Sequence, residues 1–324
     1  MSRAILVPMD EPDVAAFGER AEELGYDGLW VSELWTRDAF VALTRTAAAT
    51  EDVRLGTAIV NVYGRSPATI AQAAASLDQF AGGRVAVGLG TSTQKTIEDL
   101  HGMDFENPPR RLHETTAVTK RYLQETGRVT YDGECFEVAD FPALGRDVPV
   151  YTAALGPATR RATGRTADGW LPHNVPLSRL ATAFETIAEA ATEVGRDPDD
   201  ITTVPYIPCA VAEDPATARD AIRGHVAYYV GNGEGYRRAV GQVYDAADDV
   251  ANAWRDGDRE GAREAVTDEM VADLGVAGTP DQAREQLAEL EAMDVVDASL
   301  VVVPNGVSQQ LKNDTVDALS PENA

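Results

Sequence analysis

Residues 53–94 read VRLGTAIVNVYGRSPATIAQAAASLDQFAGGRVAVGLGTSTQ, and the fold is decided there. An apolar, β-rich run from Arg54 to Val62 ends in the turn-like Tyr63-Gly64-Arg65. Ser66 is positioned to cap a helix whose first turn holds Pro67, where a missing N–H costs nothing. Ile70, Ala74, Leu77 and Phe80 recur at helical spacing and predict one buried face. Gly82-Gly83 ends the helix, and Val85 to Leu89 make a second short strand, flanked by Gly88 and Gly90. Strand, helix and strand in so short a span form a right-handed parallel βαβ unit.

The same alternation continues outward. Ala4 to Met9 reads as a first strand, followed by a helix marked by Val14, Phe17, Ala21 and Leu24. Asp27 to Ser32 is strand two, with Glu33-Leu34-Trp35 at its C-terminal end, and a helix follows from Asp38 to Ala49. Beyond the central unit come strands at Val148 to Ala153, Gly169 to Leu171, Thr202 to Ala212 and Ala298 to Val303. Helices are predicted from Gly156-Pro157 to Gly164, Leu177 to Val194, and Pro215 to Tyr229. Thr279-Pro280-Asp281-Gln282 opens a further one as a capping box. Eight strands alternating with helices predict an α/β fold, a (β/α)8 TIM-type barrel, as one domain over residues 1–324. Two long connections are read as insertions after strands four and seven, at about 95–147 and 231–275. The first holds a helix from Arg111 to Gln124 and a hairpin or edge strand at Tyr131 to Val138. The second opens on a glycine-rich break at Gly231, Gly233 and Gly235 and is helical from Tyr236 to Leu274.

Composition narrows the function classes. The chain has 324 residues, 53 acidic against 28 basic, for a net charge of −25. A nucleic-acid surface needs a basic stripe, and none is present. No run approaches the roughly 18 apolar residues of a membrane span, and the N-terminus reads as a strand rather than a signal peptide. Cys135 and Cys209 stand in no metal or redox spacing. His101, His113 and His225 have no partners at ligand spacing, so no metal site is expected. The expectation is a cytoplasmic homodimer or higher homo-oligomer acting on a small molecule, with no nucleic-acid or membrane partner.

Gly88-Leu89-Gly90 invites a dinucleotide-loop reading, but Thr93 stands where the third glycine belongs. A turn presenting backbone N–H groups to an anion stays open, as does a plain tight turn. Ala153-Ala154-Leu155-Gly156-Pro157 starts a helix, whose first N–H groups and dipole favour a phosphate. Arg160 and Arg161 on that helix read most simply as surface ion-pair partners.

Tyr63-Gly64-Arg65-Ser66-Pro67 followed by Gly82-Gly83-Arg84-Val85-Ala86-Val87-Gly88-Leu89-Gly90 resembles the luciferase-like monooxygenase superfamily. Within it the motifs are most similar to the F420-dependent methylenetetrahydromethanopterin-reductase branch. The resemblance extends to Thr166-Ala167-Asp168-Gly169 and Gly278-Thr279-Pro280. It implies a TIM-type barrel using the deazaflavin coenzyme F420, with hydride transfer between the ring carbon C5 and an organic substrate. It also implies a cis peptide between Ala58 and Ile59, with Thr57 and Ile59 backing the ring. Gly90, Thr91 and Ser92, with Ala153, Ala154, Leu155, Gly156 and Pro157, would hold the phosphate side. Lys95 would reach the anionic tail. Glu33 matches an acidic residue near the ring, but Leu34 replaces the histidine usual in the family. His173, Asp10 and Glu11 are the other proton-handling groups at that end of the barrel. Alternatives on the same fold are an FMN-dependent monooxygenase and a catalytically silent flavin-binding barrel. A Schiff-base aldolase is disfavoured by the scarcity of lysine.

Acidic excess with only Lys95, Lys120 and Lys312 as lysines also resembles proteins of salt-accumulating archaea. Like-charge repulsion of this size is screened over about 3 Å only near 1 M salt. The melting temperature should therefore climb steeply between dilute buffer and molar KCl. A flat profile would remove the halophilic reading.

Overall fold

The computed structural model describes residues 2–323. The chain runs β1 (Ser2–Leu6), α1 (Val14–Glu23), β2 (Gly28–Val31), α2 (Ala39–Ala49), β3 (Arg54–Thr57), β4 (Val60–Asn61), α3 (Pro67–Phe80) and β5 (Val85–Gly90). Then come α4 (Pro108–Gln124), the hairpin β6 (Arg128–Asp132) and β7 (Glu137–Pro142), β8 (Val150–Ala153), α5 (Pro157–Thr166), β9 (Gly169–Trp170) and α6 (Leu180–Thr192). The last third holds β10 (Thr202–Thr203), β11 (Tyr206–Val211), α7 (Pro215–Asn232), α8 (Glu234–Val240), α9 (Ala246–Arg255), α10 (Arg259–Glu264) and α11 (Asp268–Leu274). It closes with β12 (Val276–Gly278), α12 (Pro280–Glu291), β13 (Ala298–Val302) and α13 (Gln309–Ala318).

All pairings in the main sheet are parallel, in the order β10-β9-β8-β5-β3-β2-β1-β13-β11-β12. β10 and β11 are halves of one chain segment that pairs with β9 on one side and β13 on the other, so the sheet closes into a barrel. Val204 and Tyr206 continue the bonding to the carbonyls of Trp170 and Pro172 across the interruption at Pro205, which has no N–H to give. The interior is filled by side chains including Trp30, Ala58, Tyr151, Leu171, Tyr206 and Leu300. Trp30 and Tyr151 meet edge to face there, 5.6 Å apart. Helices cover the outside over a continuous apolar layer.

The ladder between strands three and four explains the central unit. β3 pairs with β5 as far as Gly56↔Ala86, and β4 resumes at Val60↔Leu89. Between them the Ala58–Ile59 peptide is cis. This gap would orphan the buried N–H and C=O of Gly88, and Thr57 supplies both partners: its hydroxyl accepts from Gly88 N at 2.8 Å and donates to Gly88 O at 2.9 Å. A side chain at Gly88 would collide with the Thr57 carbonyl, and one at Gly90 would come within 2.8 Å of Ile59 Cγ1. The two glycines therefore lie inside a strand and permit close approach.

Several boundaries differ from expectation. Ser66 caps α3 through Thr69 N as expected, but Phe80 is 58% exposed, because it sits in the last turn beyond the sheet. The strand expected from Arg54 to Val62 is split at the cis bond, and that expected from Thr202 to Ala212 at Pro205. Gly231 is no break: α7 runs through it, and a side chain there would overlap the Trp254 ring of α9. β12 was not expected, since Val276–Gly278 is too short to show a period. Residues 234–274 pack helices α8 to α11 against α7, around Val240, Val250, Ala262 and Met270.

Thr57→Val keeps the shape but leaves Gly88 N–H and C=O unpaired, at about 1–3 kcal/mol for each buried group. Urea unfolding should show a loss of that order for Thr57→Val and a much smaller one for Thr57→Ser. Equal stability of all three proteins would exclude the hydroxyl stitch.

Candidate active site at the C-terminal rim of the barrel

The bulge at Ala58–Ile59 organises the rim. Ala58 N donates to Val31 O at 2.8 Å, and Glu33 N donates to Ile59 O at 3.2 Å, so the end of strand two is tied to it. Ile59 is partly exposed at the mouth, across from Gly90 and Ala153. Thr57, expected beside the same ligand, is fully buried with its hydroxyl spent on Gly88.

The Glu33 carboxylate is held on both oxygens. Arg65 reaches each of them, 2.9 Å at Oε2, and Ala39 N donates to Oε2 at 3.0 Å. Arg65 also bonds Asp38 at 2.5 Å and lies over the Phe40 ring. The Glu33 hydrogen bond is the main cause raising the Arg65 pKa. Glu33 is thus a hydrogen-bond acceptor fixed beside the bulge. Asp10, expected nearby, is 57% exposed on its side chain and paired with Lys312 of α13 at 2.5 Å. Lys95 is exposed and paired with Asp99 one turn on, also at 2.5 Å.

Two turns face the mouth. After β5, Thr91 and Ser92 are partly exposed, Ser92 has φ of 57°, and Thr93 Oγ1 accepts from Thr96 N to start the next helical turn. After β8, Ala153 and Leu155 are partly exposed and Ala154 is buried, its carbonyl held by Trp170 Nε1 at 2.9 Å. Gly156 is the N-cap of α5, with no side chain capping it and Pro157 at the first position. No atom lies within 4 Å of where a Gly156 Cβ would stand. An uncapped helix N-terminus open to space is an anion acceptor by geometry.

His173 follows β9, but it is enclosed. Its Nε2 lies 3.3 Å from His225 Nε2, its Nδ1 is 3.4 Å from Tyr236 Oη, and its ring stacks on Tyr206. Tyr229 packs against it edge-on. His225 and Tyr229 are one helical turn apart on α7, a spacing that links them in the sequence, whereas nothing in the sequence ties Tyr236 to strand six. Next to His173, Asn174 is buried at φ 51° with both side-chain polar atoms unpartnered among the described residues.

The profile of the luciferase-like monooxygenase family matches residues 9–296. The chain belongs to that family. It is 31% identical over 286 residues to 5,10-methylenetetrahydromethanopterin reductase of Archaeoglobus fulgidus, covering 85% of each chain. It is 28% identical over 319 residues to a putative coenzyme F420-dependent oxidoreductase of Mycobacterium tuberculosis, covering 90% of each. Among solved structures, the coenzyme F420-dependent tetrahydromethanopterin reductase of Methanopyrus kandleri superposes with a TM-score of 0.83 at 27% identity, over 98% of this chain and 97% of that one. The TIM-type barrel is thereby the family's fold. No helix is long and apolar enough to cross a membrane, and among the described residues no three His, Cys, Asp or Glu side chains gather to hold a metal.

In this luciferase-like barrel the two imidazoles are neutral. Burial pushes His225 down to about 3, and burial with the His225 ring beside it holds His173 well below its ordinary value. An unfolded histidine takes up a proton near pH 6.5, so below that the unfolded chain binds more protons than the folded one. Stability is therefore full above about pH 6.5 and falls as pH drops toward the folded values, by up to about 1.4 kcal/mol per pH unit for each ring. Chemical unfolding at a series of pH values from about 7 to about 5 should show that slope, and His173→Gln/His225→Gln should flatten it. An unchanged slope in the double variant would assign it to other groups.

Proposed function

We propose that the chain is a coenzyme F420-dependent oxidoreductase that moves a hydride between the deazaflavin C5 and a small organic substrate at the barrel rim. The observation that carries this reading is full-length similarity to F420-dependent enzymes, joined to the open, uncapped start of α5 at Gly156. The residues present fit such a group. The backbone of Leu155, Gly156 and the turn at Gly90, Thr91 and Ser92 would take its phosphate, with Ala153, Ala154 and Pro157 shaping that cradle. Ile59 and the Ala58 bulge would lie against its ring. Lys95, exposed at the rim, would meet the anionic tail by exchanging its Asp99 partner.

The deazaflavin supplies the carbon that gives or takes the hydride. The protein binds, orients and handles the proton. Glu33, fixed beside Ile59 and held by Arg65, is the proposed acceptor for the proton lost when the substrate is oxidised. Enclosure of His173 leaves it a positioning part, bracing strand six against α7 and α8. One barrel domain with insertions at 95–147 and 231–275, a homo-oligomeric state and a haloarchaeal origin belong to the same proposal, the last supported by the acidic composition.

Titration with F420 and with FMN in molar KCl tests the cofactor. F420 should bind far more tightly, and preference for FMN would move the chain to the monooxygenase reading. Gly156→Val has room in the fold and ordinary backbone angles, so it should weaken F420 binding at least about tenfold by covering the helix start, with an unchanged melting temperature. Unaltered affinity would locate the phosphate elsewhere. Glu33→Gln should lower kcat by about 10²-fold with F420 affinity changed much less. Normal turnover in that variant would take the proton away from strand two.

A further inference from the structure

Leu34 leaves the end of strand two without an imidazole, but the connection after β5 brings one to the same rim. His101 closes the π-helical turn Thr96–Leu100, its N–H donating to the Thr96 carbonyl five residues back at 3.3 Å. Such turns recur at functional sites. The His101 Nε2 lies 3.2 Å from Asn61 Nδ2, at the end of β4. Val60 and Val62 enter the outer apolar layer, so Asn61 between them turns to the opposite side of the strand. That is the side of Ile59, which packs with the barrel interior. Asn61 is two residues beyond Ile59, about 7 Å of strand. His101 therefore stands at the barrel mouth, next to the bulge.

Asn61 decides which ring nitrogen is free. Its Oδ1 accepts from Tyr63 N at 3.0 Å and from Gly64 N at 2.6 Å, which only the amide oxygen can do. Nδ2 is thus the atom turned to the imidazole, and it donates to Nε2. A neutral ring that accepts at Nε2 carries its hydrogen on Nδ1. Nδ1 has no hydrogen-bond partner among the described residues, and His101 is exposed, so this N–H is open to a ligand. Asn61 is buried, and its amide serves the turn and the ring. An uncharged N–H donor suits the lone pairs of a carbonyl or hydroxyl oxygen; a cationic C=N centre offers it none.

We propose that His101 holds, through Nδ1–H, the oxygen on the substrate carbon that exchanges the hydride, with Asn61 fixing the tautomer. The substrate is then an alcohol or the matching carbonyl compound. This rests on the reading of the rim as a deazaflavin site with Ile59 behind the ring. When the alcohol is oxidised, its C–H bond breaks with the electron pair passing to ring carbon C5. The O–H proton passes to Glu33, and a C=O bond forms. His101 keeps its own hydrogen throughout and stabilises the oxygen while charge develops on it.

NMR of the protein with isotopically labelled histidine, at about pH 8 and so above the ordinary histidine range, reads the ring tautomers directly. His101→Gln identifies the His101 signal among the four histidines. A neutral ring with its hydrogen on Nδ1 is expected; a hydrogen on Nε2 would overturn the arrangement. Turnover is then followed with F420 and a panel of primary and secondary alcohols, by loss of the oxidised deazaflavin absorbance. At least one alcohol should be oxidised. His101→Phe should lower kcat/KM about 10²-fold or more with F420 affinity and melting temperature unchanged, because His101 is exposed. His101→Gln, which returns an N–H donor, should recover part of the loss. Wild-type kcat/KM in His101→Phe, or a wild type that binds F420 and oxidises no alcohol in the panel, removes this proposal alone. A wild type that binds no F420 removes the cofactor reading and the proposal with it.

Discussion

One threonine hydroxyl carries the junction on which the rim is built. Where β3 gives way to β4, the backbone ladder lapses for three residues, and Gly88 would keep two buried polar groups without partners. Thr57 accepts from one and donates to the other, a double role its hydroxyl plays through a single oxygen. The stitch works because Gly88 has no side chain, which lets β5 lie against the Thr57 carbonyl. With that approach secured, Ile59 crosses Gly90, and its carbonyl receives Glu33 N. Strand two, the bulge and strand four are thus held in one hydrogen-bonded arrangement at the mouth.

Charge is distributed with similar economy. In a chain of net charge −25 a buried carboxylate would add to repulsion, yet Glu33 sits mostly enclosed at the rim. Arg65 neutralises it through both oxygens and reaches Asp38 as well, so one guanidinium orders the end of strand two and the start of α2. Other arginines cover carbonyls at element ends. Arg84 donates to the carbonyls of Ala47, Thr50, Val53 and Ala81, and Arg196 to those of Gly164 and Ala167. Arginine's five donors suit these tasks, which lysine's compact ammonium could not fill together.

The second long connection does more than pack beside the barrel. Its first helix, α8, sends Tyr236 to His173, while α7 contributes His225 and Tyr229. A histidine at the end of a barrel strand looks like a proton carrier when only its position is known. The structure encloses His173 among four aromatic side chains, and burial holds its pKa well below the ordinary value.

The local pattern of the chain determined the barrel. Alternating short apolar runs and capped amphipathic helices leave few other ways to bury eight strands, and Ser66, Gly156 and the Thr279 capping box appear where the sequence puts them. The helix start at Gly156 was legible because capping is a local property of a few adjacent residues. Partners distant in sequence were not. That Glu33 is taken by Arg65, Asp10 by Lys312, Thr57 by Gly88 and His173 by His225 depends on which side chains closure of the barrel brings within hydrogen-bond reach. Residue type and spacing along the chain specify what each group can do; only the tertiary structure decides what each finds to do it with, because hydrogen bonds and burial act over a few ångströms of space rather than along the sequence.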